Sequence, residues 1–128
     1  MYHISKRLEG ADFETVVADV REALSGQGFG VLTEIDVQAT LREKLGEEID
    51  PYLILGACNP PLAHRAIGAA PEVGVLLPCN VVVRVADGAV VVDAMDPASV
   101  MQVVDHPGVA EVASEVRDRL ASVIDLLG

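Results

Sequence analysis

The sequence predicts an α+β fold of two layers, in which a mainly antiparallel sheet of about five strands carries two long helices on one face. A two-residue hairpin signal, Asp87-Gly88, joins two apolar runs that follow one another directly. A long amphipathic stretch closes the chain. The predicted element order, β-α-β-(α)-β-α-β-β-(α)-α, therefore favours α+β over a doubly wound sheet. A length of 128 residues indicates a single domain over 1–128.

The first half of the chain alternates strands and helices. Residues 2–8 alternate as a strand does, and Asp12 is placed to cap a first long helix. Its apolar stripe is Phe13, Val16, Val17, Val20 and Leu24. Glycines at 26, 28 and 30 end that helix and form a turn, because a phosphate loop would follow a strand rather than a helix. Residues 29–37 then alternate as a second strand, and 38–46 form a short helix.

The second half carries the remaining strands and the second long helix. Residues 52–56 are an apolar run of strand length, and Asn59-Pro60 is an N-cap followed by a first-turn proline for a helix over 61–70. The hairpin pairs 81–85 with 89–93, and Asp96-Pro97 opens a short helix that extends to about residue 103. The last helix follows Pro107-Gly108. Its stripe is Val109, Val112, Ala113, Val116, Leu120, Val123, Ile124 and Leu127.

Composition excludes several classes of function. The formal net charge is −11, and no basic stripe with stacking aromatics offsets it, so nucleic acid is not an expected partner. No apolar run approaches the ~20 residues of a membrane span, and charged residues interrupt the first ten positions where a signal peptide would be apolar. We therefore expect a cytoplasmic protein without membrane partners, whose two cysteines are free thiols.

The two cysteines are the most informative residues. Cys58 lies in Gly-Ala-Cys-Asn-Pro and Cys79 in Leu-Pro-Cys-Asn, and each motif adjoins an apolar strand. Cys58 precedes a predicted helix N-terminus, where unsatisfied N–H groups and the helix dipole favour the reactive thiolate. If the strands next to the two cysteines run antiparallel, the thiols lie close together, whereas a parallel crossover would separate them. Buried packing is the competing interpretation.

These motifs, with Ile35-Asp36-Val37 and Asp96-Pro97, resemble the bacterial and archaeal family named domain of unknown function 302. The resemblance covers nearly the whole chain. It implies a compact two-layer α+β fold like that of the TATA-binding protein, often as a dimer. It implies no activity, because the family has no assigned biochemical role.

Other candidate site residues are acidic or imidazole groups. Glu34 and Asp36 share one strand face about 7 Å apart, where paired carboxylates can act as acid and base or bind ligands, although a solvated strand face has the same pattern. Glu34 becomes a general base only if it points toward the cysteines. His64 could join the thiols at a soft metal ion, but the spacing matches no metal-binding motif and we predict none.

Three functional hypotheses follow. The first is a small non-enzymatic binding or sensor domain whose pocket near Cys58 and Cys79 holds a small molecule or a soft metal, with Asn59, Glu34 and Asp36 as further ligand-binding candidates. The second is a thiol enzyme with Cys58 as nucleophile, Cys79 as resolving thiol and Glu34 or His64 as proton acceptor. The third is a homodimeric interaction module, because a hydrophobic content of 51% is high for a monomer of this size. No cofactor is indicated.

Overall fold

The structure is a computed structural model that describes residues 2–128. Each helix and strand is bounded as follows. The strands are β1 His3–Glu9, β2 Gly30–Asp36, β3 Tyr52–Cys58, β4 Cys79–Ala86 and β5 Ala89–Met95. The helices are α1 Phe13–Gly26, α2 Val37–Leu45, α3 Pro60–Ala69, α4 Pro97–Val100 and α5 Pro107–Asp125. Short 3₁₀ turns follow α3 over Pro71–Leu76 and α4 over Met101–Val103.

The five strands form one antiparallel sheet in the order β1-β5-β4-β3-β2, which confirms the predicted α+β class. The predicted hairpin joins β4 to β5. Its turn residues Asp87 and Gly88 both have positive φ, 49° and 77° respectively, as a two-residue turn that matches the twist of the strands requires. The β3–β4 pairing is also antiparallel, so the antiparallel alternative for the two cysteines is the one that the fold adopts.

The expectation of two long helices is not exact. The two longest, α1 with 14 residues and α5 with 19, are those predicted, but α3 has 10 residues and α2 has 9. The helix predicted over 61–70 is observed as α3, one residue earlier, and its buried face has only two well-covered side chains, Leu62 and Ala66. Asp12, Asn59 and Asp96 cap their helices as predicted.

The buried side chains form one continuous aliphatic core between one face of the sheet and helices α1, α3 and α5. Alternate strand residues supply the sheet side, as a period of two dictates. They include Leu53, Leu55 and Ala57 of β3, Val81 and Val83 of β4, and Val90, Val92 and Ala94 of β5. Most side chains on the opposite face of the sheet are half-buried or exposed, among them Tyr52, Ile54, Val82 and Ile35, whereas Val91 is buried there.

A β-bulge interrupts the edge strand β2. Val31 lies opposite Ala57 and Thr33 opposite Gly56, so Leu32 is an extra residue with no partner on β3. Strict alternation across this strand was therefore a wrong expectation, and Val37 belongs to α2 rather than to the strand. The bulge matters because Leu32 and Thr33 both lie at the cavity described below.

None of the helices within residues 2–128 combines the length and apolar character needed to cross a bilayer.

Candidate functional site

The two cysteines lie at the same end of the sheet on adjacent strands. Cys58 is the last residue of β3 and Cys79 the first of β4. In the register of that pair Cys79 lies directly opposite Ala57, the neighbour of Cys58, and Cys58 also faces Gly30 of β2. The antiparallel pairing therefore brings both cysteines to the same end of the sheet, although twenty residues and a helix separate them in sequence.

The two thiols have different surroundings. Cys79 is only 5% exposed, whereas Cys58 is partly exposed, and both are free. Burial, followed by the nearby charge of an ionised Cys58, raises the pKa of the Cys79 thiol to about 11. Cys79 consequently remains a neutral thiol at physiological pH and behaves as a small apolar side chain with a weak donor.

The expected activation of Cys58 by the α3 N-terminus is not supported. The first two helical residues are Pro60 and Pro61, which have no N–H group. The next two N–H groups are taken, since Leu62 donates to Asn59 Oδ1 at 3.3 Å and Ala63 donates to the Asn59 carbonyl at 2.9 Å. No N–H group in this first turn is left to stabilise a thiolate, so the main physical argument for a nucleophilic Cys58 is lost.

Asn59 holds this corner of the molecule together. It is 7% exposed, and its two side-chain polar atoms are used within the fold. Oδ1 caps α3, and Nδ2 donates to the carbonyl of Gln27, 3.4 Å away in the α1–β2 turn. Arg119 of α5 donates to the same carbonyl at 3.1 Å. The amide of Asn59 therefore links α3 to the turn, and Arg119 links α5 to the same carbonyl.

A cavity of about 290 Å³ opens at this end of the sheet, with both cysteines in its wall. Helix α3 lies along one side, α5 and the start of α4 along another, and the ends of β2, β3 and β4 form the remaining wall. Apolar side chains make up most of the surface. They include Phe29, Leu62, Ala66, Ile67, Leu77, Met101, Val109, Val112, Ala113 and Val116. A concave apolar site of this size is typical of small-molecule binding.

The rim of the cavity combines exposed apolar groups with a closely packed strand position. Leu32 and Ile67 line the cavity and yet are 67% and 44% exposed. Between β2 and the loop before β4, a Cβ on Gly56 would overlap Thr33 Oγ1 and lie 2.9 Å from Pro78 Cγ. Glycine at position 56 therefore lets Thr33 and Pro78 approach each other, and both of these residues border the cavity.

The acidic candidates lie away from the thiols. Glu34 pairs with Leu55, four positions along β2 from the residue that faces Cys58, which is about 13 Å by strand rise. Its carboxylate accepts from Arg21 Nη2 of α1 at 2.5 Å. Asp36 accepts from the backbone N–H of Ala39 at 2.9 Å and caps α2. The structure does not bring either carboxylate together with the cysteines.

His64 also lies outside the cavity wall, exposed on α3. Over residues 2–128, no group of three or more His, Cys, Asp or Glu side chains is arranged to hold a metal ion. The site therefore contains two thiols and an apolar wall rather than a set of metal ligands.

Sequence reasoning missed several residues of the site. Leu32 and Thr33 reach the cavity because of the bulge, for which strand periodicity has no signal. Pro97, Met101 and the start of α5 reach it through the packing of distant segments. Cys58, Asn59, Pro78 and Cys79 could be found beforehand because each belongs to a local turn motif.

Comparison with known proteins agrees with this fold. The model of the family described as Domain of unknown function DUF302 matches residues 4–127. The chain belongs to the DUF302 family. One solved structure, that of an uncharacterized conserved DUF302 protein from Bacillus stearothermophilus, is 29% identical to it. That structure superimposes with a TM-score of 0.92 and covers 100% of this chain and 99% of its own.

Among proteins with curated descriptions, none matches this DUF302 chain. The family has no established function, so its name supports the fold and assigns no activity to the cavity.

Proposed function

We propose that this protein is a small non-enzymatic binding domain that holds a small, mostly apolar molecule in the cavity beside Cys58 and Cys79. One observation carries the proposal: an apolar cavity of about 290 Å³ lies where the two predicted cysteine motifs meet. The apolar side chains around an empty volume of this size lack packing contacts on the cavity side. A ligand that fills the cavity would supply those contacts.

An apolar ligand fits the thiols better than a soft metal ion does. A metal would need the thiolate form of both cysteines. Burial opposes this at Cys79, whose pKa is raised to about 11. An uncharged molecule needs no deprotonation and uses the aliphatic wall directly.

The proposal is tested by measuring binding and by filling the cavity. Ala66 of α3 is 5% exposed and lines the cavity, so Ala66→Leu places three extra carbons inside it. Small apolar probes such as octanol should raise the melting temperature of the wild-type protein and of the control Ala18→Leu, whose site is exposed on α1. They should have little effect on Ala66→Leu. An absence of any stabilisation in the wild type would remove the proposal.

A thiol-based redox or nucleophilic enzyme remains the alternative for the same site. Its support is the proximity of Cys58 and Cys79, and its weakness is the occupied N-terminus of α3. Alkylation of the native protein followed by mass spectrometry distinguishes the two. Rapid labelling of Cys58 well below pH 8 would favour the enzyme, whereas ordinary thiol reactivity at Cys58 and labelling of Cys79 only after unfolding favour the binding domain.

We further propose that two copies associate through the face of the sheet that the helices leave uncovered. Tyr52, Ile54 and Val82 are half-buried there, and Ile35 is 49% exposed. Five strands about 4.8 Å apart and about 20 Å long give this face roughly 500 Å². Two copies would then bury about 1,000 Å², near the lower limit for a specific interface.

Charge on this face is locally balanced although the chain is strongly acidic. Asp93 accepts hydrogen bonds from Ser5 and from Arg84 Nε, the latter at 2.8 Å. Burial alone would raise the pKa of Asp93, but those two hydrogen bonds and the charges of Arg84 and His3 hold it below its usual value. A neutral patch would let two molecules of charge −11 approach without strong repulsion at the contact.

Light scattering at micromolar concentration tests the dimer. The wild type should have twice the monomer mass, and Ile54→Lys should have the monomer mass because a buried lysine would be unpaired at the interface. Leu126→Lys, at an exposed position beyond α5, is the matched control. A monomeric wild type would contradict the proposal.

A cytoplasmic location is also part of the proposal. Two free cysteines in a chain without a disulfide framework suit a reducing compartment.

A further inference from the structure

We infer that this cavity takes the hydrocarbon chain of a single-chain amphiphile, tail first, and leaves the polar head of that molecule in solvent at the mouth of the cavity. This inference rests on the proposed binding function and names the class of its ligand. It depends on the apolar character of the wall, on the burial of the residues along the wall and on the volume that they enclose.

The wall has no free partner for a polar group inside the cavity beyond its weakly bonding thiols. Its accessible surface is almost entirely apolar, and none of the described residues in it carries a charge. Both polar atoms of the Asn59 amide are bonded within the fold. The Thr33 hydroxyl lies over Gly56, on the face of the sheet opposite to Cys79. A polar group inside would lose its hydration without gaining a partner, so the head stays outside.

The burial of the lining residues divides the wall into a mouth and a floor. At the mouth, Leu32 of the β2 bulge and Ile67 of α3 line the cavity, although much of each side chain is in solvent. At the floor, Met101, Val109 and Ala113 are almost completely buried. A chain that enters at the exposed end therefore places its terminal methyl group against α5 and its head beside the exposed apolar side chains of the mouth.

The volume matches one short chain. Because one water molecule occupies about 30 Å³ in the liquid and a methylene group is of similar size, 290 Å³ holds about ten carbon atoms. Bilayer lipids carry two chains, so a dissolved single-chain molecule fits this volume better than a membrane does. The net charge of −11 also opposes the approach of this protein to an anionic membrane surface.

The first experiment is calorimetric titration of the full chain with octanol and with the hexyl to dodecyl ethers of tetra(ethylene glycol), each below its critical micelle concentration. The head of these ethers is bulky and strongly hydrated, so only their chain can enter the cavity. We expect the affinity of the ethers to rise about fourfold with each added carbon up to about ten carbons and then to level off, since further carbons stay in solvent.

Two substitutions at the floor test the direction of the chain. Val109→Ala deepens the cavity and should move the chain length at which affinity levels off about two carbons higher. Ala113→Leu fills part of the floor and should move that length to shorter chains. Val75→Ala, at an exposed position outside the cavity, is the matched control for Val109→Ala. An unchanged limit in folded Val109→Ala would overturn the tail-first orientation.

Charges placed at the mouth test the position of the head. Octyltrimethylammonium should bind about threefold more tightly to Leu32→Glu and about threefold more weakly to Leu32→Lys, relative to the octyl ether, because unit charges about 6 Å apart in water interact by this amount. Leu126→Glu and Leu126→Lys, at an exposed position beyond α5, are the controls and should leave the ratio of the two affinities unchanged. Equal ratios in the two Leu32 variants would show that the head lies elsewhere.

The outcomes separate this inference from the proposed function. If octanol and every ether fail to bind, the cavity is not a binding site and both proposals fail. If octanol binds and the ethers do not, the cavity encloses its whole ligand, so this inference is wrong and the binding function stands. Flotation of the protein with phosphatidylcholine vesicles would show that the chain belongs to a bilayer lipid, and it would overturn the single-chain ligand in the same way.

Discussion

Gly56 lies inside β3, where a side chain would meet two others. Because an added Cβ would overlap Thr33 Oγ1 and approach Pro78 Cγ, we expect Gly56→Ala to destabilise the protein by about 1–3 kcal/mol. Urea unfolding measures the loss. Thr33→Ala removes the nearer atom, so the double variant should recover part of the stability that Gly56→Ala loses. Additive losses in the double-mutant cycle would show that Thr33 is not what requires the glycine.

Cys79 should make the protein sensitive to alkali. An unfolded thiol ionises near pH 8.5, whereas burial raises the pKa of Cys79 to about 11 in the folded state. The stability that this shift represents is fully present below the unfolded pKa and is lost as the pH rises through the folded pKa. The difference between these two pKa values corresponds to about 3 kcal/mol of stability, which is lost between about pH 8.5 and 11.

Cys79→Ala isolates this contribution from other groups that titrate in alkali. The free energy of unfolding of the wild type should fall more steeply than that of the variant over this pH range, by urea titration at each pH. Parallel profiles for the two proteins would show that Cys79 ionises equally easily in both states.

At the scale of an element, the stability of α3 depends on its N-cap more than the apolar pattern of its sequence indicates. Asn59 caps the helix and bonds the Gln27 carbonyl, so Asn59→Ala should cost about 1–2 kcal/mol. We expect faster amide exchange in α3 and weaker ligand binding, because this helix forms one wall of the cavity. Asp12→Ala, at the exposed cap of α1, is the control and should leave ligand binding unchanged. Equal effects of both substitutions on binding would contradict this role of Asn59.

The whole molecule carries twenty acidic and nine basic side chains. Self-repulsion among the excess carboxylates opposes the compact state, and salt screens it over a Debye length of about 10 Å at 0.1 M. We expect the melting temperature to rise between low salt and about 0.5 M sodium chloride. Potassium chloride at equal ionic strength should have the same effect, and a temperature that does not change would show that the acidic groups are too far apart to repel.

Much of the fold could be predicted because its signals are local. A few neighbouring residues determine each of these features: the Asp87-Gly88 turn, the apolar stripe of α5, and the helix caps at Asp12, Asn59 and Asp96. Prediction of the site was partial for the same reason. The cysteine motifs could be recognised, but the Leu32 bulge has no local pattern, and the role of Glu34 depended on an orientation that its bond to Arg21 excludes.

By itself the sequence determined the α+β class, the hairpin, the capped helices and the position of both cysteines at element ends, since these depend on periodicity and turn chemistry. Only the tertiary structure decided that the two cysteines border one cavity, that the N-terminus of α3 has no free N–H group in its first turn, and that this cavity lies between the strand ends and α5. The reason is physical. Register and packing arise from contacts between residues far apart in the chain, and a window of neighbouring residues does not contain them.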